Sequence, residues 1–144
     1  MPSEGALRNA GAGLALLGTG IAAYIAIAEA GGGAPACVGG STGCATVAAS
    51  PYADVVGSVN VSELGVAGYL MLFGAALVRG DPGRFAGAAL ALIGLGYTIY
   101  LNYVEFFVIE AVCQWCVASA VTITALFAVS VARLVLYGGR DEAR

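Results

Sequence analysis

The chain has 144 residues, enough for one domain, of which 60 % are hydrophobic and 10 % charged, against roughly 45–50 % and about 25 % in soluble domains. A mean hydropathy of +0.89 excludes an ordinary soluble protein and points to the membrane, and a formal net charge of −3 argues against nucleic acid as a partner. There is no histidine, which removes the commonest acid–base group and the usual nitrogen ligand of haem and metals, and leaves Cys37, Cys44, Cys113 and Cys116 as the chemical specialists.

Residues 1–8 form a short polar leader ending in Arg8. From Asn9 to Ala28 the chain carries no charge; as a helix this run is about 30 Å long and spans a bilayer. Its glycines and alanines suit close helix packing in lipid. The run followed by Ala28-Glu29-Ala30 also has the form of a secretory leader with a cleavage site, but its length and the single Arg favour a retained span. Residues 31–59 are the one long polar segment, and Gly31-Gly32-Gly33-Ala34-Pro35 cannot continue a helix. Cys37 and Cys44 follow, with six residues between them. Thr42 is placed to cap a short helix from Gly43 to about Ala49, stopped by Pro51, with Cys44 in its first turn.

Asn60-Val61-Ser62-Glu63 has the form of a capping box that opens a second span over 61–78. Arg79 to Arg84 is a tight polar turn. A third span follows over 85–104, with Tyr97, Tyr100 and Tyr103 near its end, as in an aromatic belt. Glu105 to Glu110 makes a short crossing. The fourth span runs over 113–137 and opens on Cys113-Gln114-Trp115-Cys116. The expected fold is an all-α membrane bundle of four spanning helices, one domain over 1–144, with a short helix in the first extracytoplasmic loop.

All six basic residues, Arg8, Arg79, Arg84, Arg133, Arg140 and Arg144, fall in the leader, in the turn between spans two and three, or at the end of span four. The positive-inside rule puts both termini and that turn in the cytoplasm. Both cysteine pairs then share the outer side of the cell membrane, where disulfides persist.

Four cysteines on one side admit three readings. One is an electron relay between the outside and the membrane, one a pair of structural staples, and one a soft-metal site that binds or transports a heavy metal. Cysteines three apart at a helix start lie on one face near the dipole's positive end, which stabilises a thiolate. The glycine-rich Cys37–Cys44 loop is exposed, whereas Cys113–Cys116 sits on a rigid helix at the bilayer boundary. A quinone dissolved in the membrane reaches that boundary and a soluble protein does not, which is a reason to have two pairs.

In the order of these motifs the chain resembles the vitamin K epoxide reductase family in its bacterial or archaeal single-domain form. The resemblance rests on Cys37 and Cys44, Ser50, Gly65, Tyr69, Tyr100-Leu101, Phe106-Phe107-Val108 and the C-x-x-C pair opening the fourth span. Quinone-linked oxidases of the DsbB type have a similar plan but carry C-x-x-C in the first outer loop, the reverse of the order here. The resemblance implies that a reduced thioredoxin-fold partner attacks a Cys37–Cys44 disulfide at Cys37. Freed Cys44 then attacks Cys113, and Cys116 passes electrons to a quinone such as menaquinone or ubiquinone, with no metal. It implies quinone contacts at Ser50, Asn60, Tyr69 and Ala120. Ala120 stands where vertebrate members have a quinone-binding Tyr, and Asn60 lies one residue from the family's Asn position. The plainer readings make Asn60 a helix cap, Ser50 an end-cap before Pro51, Tyr69 core and Trp115 an interface anchor. Glu105 or Glu110 is a candidate for moving protons to the quinone; the other outer glutamates read as solvated.

Overall fold

The structure, a computed structural model, describes residues 2–33, 43–51, 54–56 and 59–139. In chain order these form α1 (Glu4–Ala30), α2 (Gly43–Ala48), β1 (Asp54–Val56), β2 (Val59–Asn60), α3 (Val61–Leu77), α4 (Asp81–Tyr103), a π-helical segment (Val104–Ile109) and α5 (Gln114–Tyr137). The strands β1 and β2 pair antiparallel across an irregular register and lead directly into α3. Three stretches, α1, α4 with its π-helical extension, and α5, are long and apolar enough to cross a membrane. The fourth long helix, α3, has 17 residues, about 26 Å.

Helix starts follow local chemistry. Ser3 caps α1 by accepting a hydrogen bond from the Ala6 N–H at 3.1 Å, with Glu4 in the first turn. The helix therefore begins inside the stretch expected to be a polar leader. Asn60 caps α3, and Glu63 returns the contact by accepting from the Asn60 N–H at 3.4 Å. In α4, Asp81 and Pro82 open the first turn, so Arg84, expected in a polar turn, is helical and only 3 % exposed. Its guanidinium donates to Glu4 at 2.7 and 3.1 Å and to Asp81 at 2.6 Å. Arg133 of α5, also buried, has its Nη2 3.8 Å from the same Glu4 carboxylate. The Asp81 carboxylate also accepts the Gly139 N–H, and the Tyr137 hydroxyl donates to the Pro2 carbonyl at 2.6 Å. These contacts fasten the start of α1, the start of α4 and the end of α5 together.

Contrary to expectation, residues 105–109 are not a loop. The apolar run Val104–Ile109 carries α4 onward as a π-helix, and Glu110 ends it in the left-handed conformation at φ 57°. Thr42 as a cap of α2 lies outside the described residues.

Small residues decide the packing. Leu7, Gly11, Ala15, Gly18 and Ala22 form one buried stripe along α1, spaced by four, four, three and four, as one helix face requires. With no hydrophobic drive between helices in lipid, such a stripe lets backbones approach and gain dispersion contacts. The core consists of Ala15, Ala22, Tyr69, Leu72, Ala91, Ile123 and Leu126. Large apolar side chains such as Ile27, Phe107, Val121 and Val135 point outward, as a lipid-facing surface demands. Gly18 is the tightest point: a methyl there would sit 2.2 Å from the ring of Tyr69. That ring cannot swing away cheaply, because its hydroxyl is held at both the carbonyl and the hydroxyl of Ser119, at 2.9 and 2.8 Å.

Gly18→Ala is therefore expected to destabilise the bundle by about 1–3 kcal/mol, lowering its thermal midpoint in detergent. Gly13→Ala, with nothing within 4 Å of its added methyl, is expected to leave the midpoint no lower than that of the native chain.

Candidate redox site

The C-x-x-C pair stands at the head of α5. Cys113 is the N-cap, with extended backbone at φ −96° and ψ 117°, and is 2 % exposed. Cys116 follows in the first turn, half-buried. The height of Cys113 is set by Glu105, which organises the break between the π-helical segment and α5. The main-chain carbonyl of Glu105 accepts the N–H of Glu110 and, at 3.2 Å, that of Ala111. Its carboxylate accepts the N–H of Cys113 in a buried hydrogen bond. The non-helical residues 110–113 are thus tied to a side chain and a carbonyl of the preceding helix, as backbone at membrane depth must be.

Cys113 stands at the N-terminus of α5, where unpaired main-chain N–H groups and the helix dipole favour a negatively charged sulfur.

The loop helix α2 packs at the same place. A methyl on Gly43 would lie 2.0 Å from the carbonyl oxygen of Val112, so the main chain of α2 comes directly against the residue before Cys113. Cys44 is the next residue along α2. Cys37 lies outside the described residues.

A cavity of about 570 Å³ opens among α1, α3, α4 and α5, within the size range of small-molecule pockets. Its walls are mainly apolar, and Cys116, Ser119, Tyr69, Ser50, Glu29 and Glu105 bring polar groups to it. Of the residues singled out from the sequence, Cys116, Ser50 and Tyr69 line this cavity, whereas Asn60 and Ala120 do not. Ser119, one position before Ala120, faces the cavity. Its distance of three residues from Cys116, one helical turn on the same face, was a usable signal. Glu29, whose carboxylate accepts the Ser62 hydroxyl at 2.6 Å, belongs to the end of α1 and carried no such signal. Of the three belt tyrosines, Tyr97 lines the cavity. Trp115 does not line it; its ring packs on Tyr24 of α1 with centroids 4.8 Å apart.

The arrangement sets one thiol of the C-x-x-C pair, that of Cys116, at the wall of an apolar space large enough for an aromatic ring. The family model for the vitamin K epoxide reductase family matches residues 10–131. The chain belongs to that family. No individual curated protein matches it significantly. As a vitamin K epoxide reductase family member with membrane-spanning helices, the protein is an integral membrane oxidoreductase acting on thiols. Among the described residues no three His, Cys, Asp or Glu side chains cluster to hold a metal, and family membership lends the metal-transport reading no support.

Proposed function

We propose that the protein is a quinone-dependent thiol oxidoreductase that generates disulfide bonds in exported proteins. The observation that carries this reading is that Cys116 lines an apolar cavity of about 570 Å³, while the main chain of Val112, the residue before Cys113, lies against the loop helix that bears Cys44. One end of the pair thus opens on a space suited to a lipid-soluble substrate, and the other follows directly on the contact with the loop helix. In this reading α3 is a fourth span, short enough to need local thinning of the bilayer. Both termini are cytoplasmic and all four cysteines extracytoplasmic, on the distribution of arginines.

The reaction runs as two thiol–disulfide exchanges and one transfer to the quinone. A thiolate of a thioredoxin-fold partner attacks Cys37 of the Cys37–Cys44 disulfide and releases Cys44. The second partner thiol resolves the mixed disulfide, so that the partner leaves oxidised. Cys44 attacks Cys113 of the Cys113–Cys116 disulfide, and Cys37 then displaces Cys113, restoring the loop disulfide and leaving Cys113 and Cys116 reduced. Cys116 faces the quinone, and re-formation of the Cys113–Cys116 disulfide delivers two electrons to it. The net change is partner dithiol plus quinone to partner disulfide plus quinol. Tyr69 and Ser119, hydrogen-bonded to each other at the cavity wall, are the groups we assign to the quinone oxygens, with Ser50. This assignment replaces Asn60 and Ala120, which lie off the cavity.

The test is quinone reduction by the purified protein in detergent, with a reduced thioredoxin-fold protein as donor. Turnover by the native chain should fall at least about a hundredfold in each of Cys37→Ser, Cys44→Ser, Cys113→Ser and Cys116→Ser, as expected when a covalent step is lost. A small membrane-permeant dithiol should restore it in the two loop variants alone. Undiminished quinone reduction by Cys116→Ser would overturn the assignment.

A further inference from the structure

Reducing a quinone to its quinol consumes two electrons and two protons, and oxidising a dithiol to a disulfide releases two of each. The electrons come from the cysteines; the protons need a carrier inside an apolar cavity. Histidine is absent from the chain. Among the described residues, the titratable groups lining the cavity are Glu29, Glu105, Tyr69, Tyr97 and Cys116. A tyrosine gives up its proton only near pH 10, whereas a carboxyl exchanges protons in the acidic to neutral range. The carboxyls of Glu29 and Glu105 are therefore the groups suited to cycle protons there. Glu110, the other glutamate near the pair in sequence, is exposed and lines no part of the cavity.

Glu105 is 3 % exposed, lines the cavity beside Cys116, and accepts a hydrogen bond from the main-chain N–H of Cys113. It thus touches one member of the dithiol and faces the space next to the other. Glu29 is half-buried at the outer end of α1 and is held by the Ser62 hydroxyl at 2.6 Å. It lines the same cavity from the side where α1 ends in the exposed residues 31–33.

We propose that Glu105 is the proton donor to the quinone oxygen next to Cys116, and that Glu29 returns a proton from the outer aqueous side. The proposal rests on the quinone-linked function above. With Cys113 as thiolate and Cys116 as thiol, the pair holds one proton and two electrons available to the quinone. Forming the Cys113–Cys116 disulfide gives up both electrons and the Cys116 proton. Glu105 supplies the second proton and is reprotonated through Glu29, so thiolate, thiol, quinone and one proton become disulfide and quinol without net charge left in the cavity.

Glu105 also has a structural duty, the hydrogen bond to Cys113, and the test must separate the two. Glu105→Gln keeps an acceptor for that N–H but cannot carry the proton. The chemically reduced protein, bearing Cys37→Ser and Cys44→Ser, is mixed with a soluble 1,4-naphthoquinone and a single turnover is followed by quinone absorbance. Loss of an acid–base group typically slows a reaction about 10²- to 10⁴-fold. Glu105→Gln is therefore expected to slow quinol formation at least about a hundredfold, and Glu105→Asp to recover part of the rate. Reduction of the Cys113–Cys116 disulfide by a small dithiol should keep its native rate in both variants. Glu29→Gln is expected to slow repeated turnovers more than the first. Native-rate quinol formation by Glu105→Gln would overturn the proposal and leave the quinone-linked function standing. A native protein that reduces no naphthoquinone, benzoquinone or other quinone would overturn the function itself, and with it this role for Glu105.

Discussion

The hydrogen bond from the main chain of Cys113 to the carboxylate of Glu105 is the contact on which the redox end of the molecule depends. Between the π-helical segment and α5 the chain leaves helical geometry for four residues, Glu110 to Cys113. Within or near a bilayer such a break exposes amide groups that water cannot reach, and each would cost several kcal/mol if left alone (roughly, from apolar transfer). Glu105 answers three of these groups, two with its carbonyl and one with its side chain. The π-helical turn sets this residue facing the pair, and wide turns of this kind are frequent at functional sites. Because the break is held, Cys113 can serve as the N-cap of α5 and Cys116 can face inward one turn later.

The opposite end is fastened by charge rather than by backbone. Arg84 shares the Glu4 and Asp81 carboxylates, and Arg133 approaches the same Glu4. Buried ion pairs are weak net contributors to stability, since desolvation offsets most of their attraction. They are specific, however. A guanidinium fork between two carboxylates accepts few alternative geometries, so it sets the register of α1, α4 and α5. Between the two ends the small-residue stripe of α1 brings Gly18 against Tyr69, and Tyr69 reaches across to Ser119. This wedge links α1, α3 and α5 at the edge of the cavity. The same close packing that closes the bundle therefore orients a hydroxyl at the proposed quinone site.

The family's motif order was legible because covalent chemistry fixes residue types strictly: two cysteines in a loop and two on one helical turn cannot be exchanged for look-alikes. The residues that line the cavity were less legible. Ser50 and Tyr69 were named and do line the cavity, while Asn60 and Ala120 were named and do not. Ala120 stands where the resemblance in motif order points; on this helix the residue that lines the cavity is one earlier, at Ser119. Asn60 is engaged as the cap of α3 instead. The glutamates looked alike as outer charges, yet Glu105 is buried and Glu110 exposed, because the helix continues through Glu105 and ends at Glu110.

The amino-acid sequence by itself determined membrane residence, the approximate positions of the long helices and the redox character of the chain. These follow from uncharged runs long enough for a bilayer, from caps and breakers, and from cysteine spacing, all of which act within a few residues of each other. Only the tertiary structure decided which further polar groups meet the cavity: Glu29 from the end of α1, Glu105 from the π-helical turn and Ser119 from α5. It also decided that Arg84 and Arg133 are buried rather than solvated. The physical reason is that these outcomes depend on the rotation of each helix about its axis. In a chain apolar on nearly every face, that rotation is set by contacts between helices, such as Gly18 against Tyr69 and Arg84 against Glu4, and not by any periodicity within one of them.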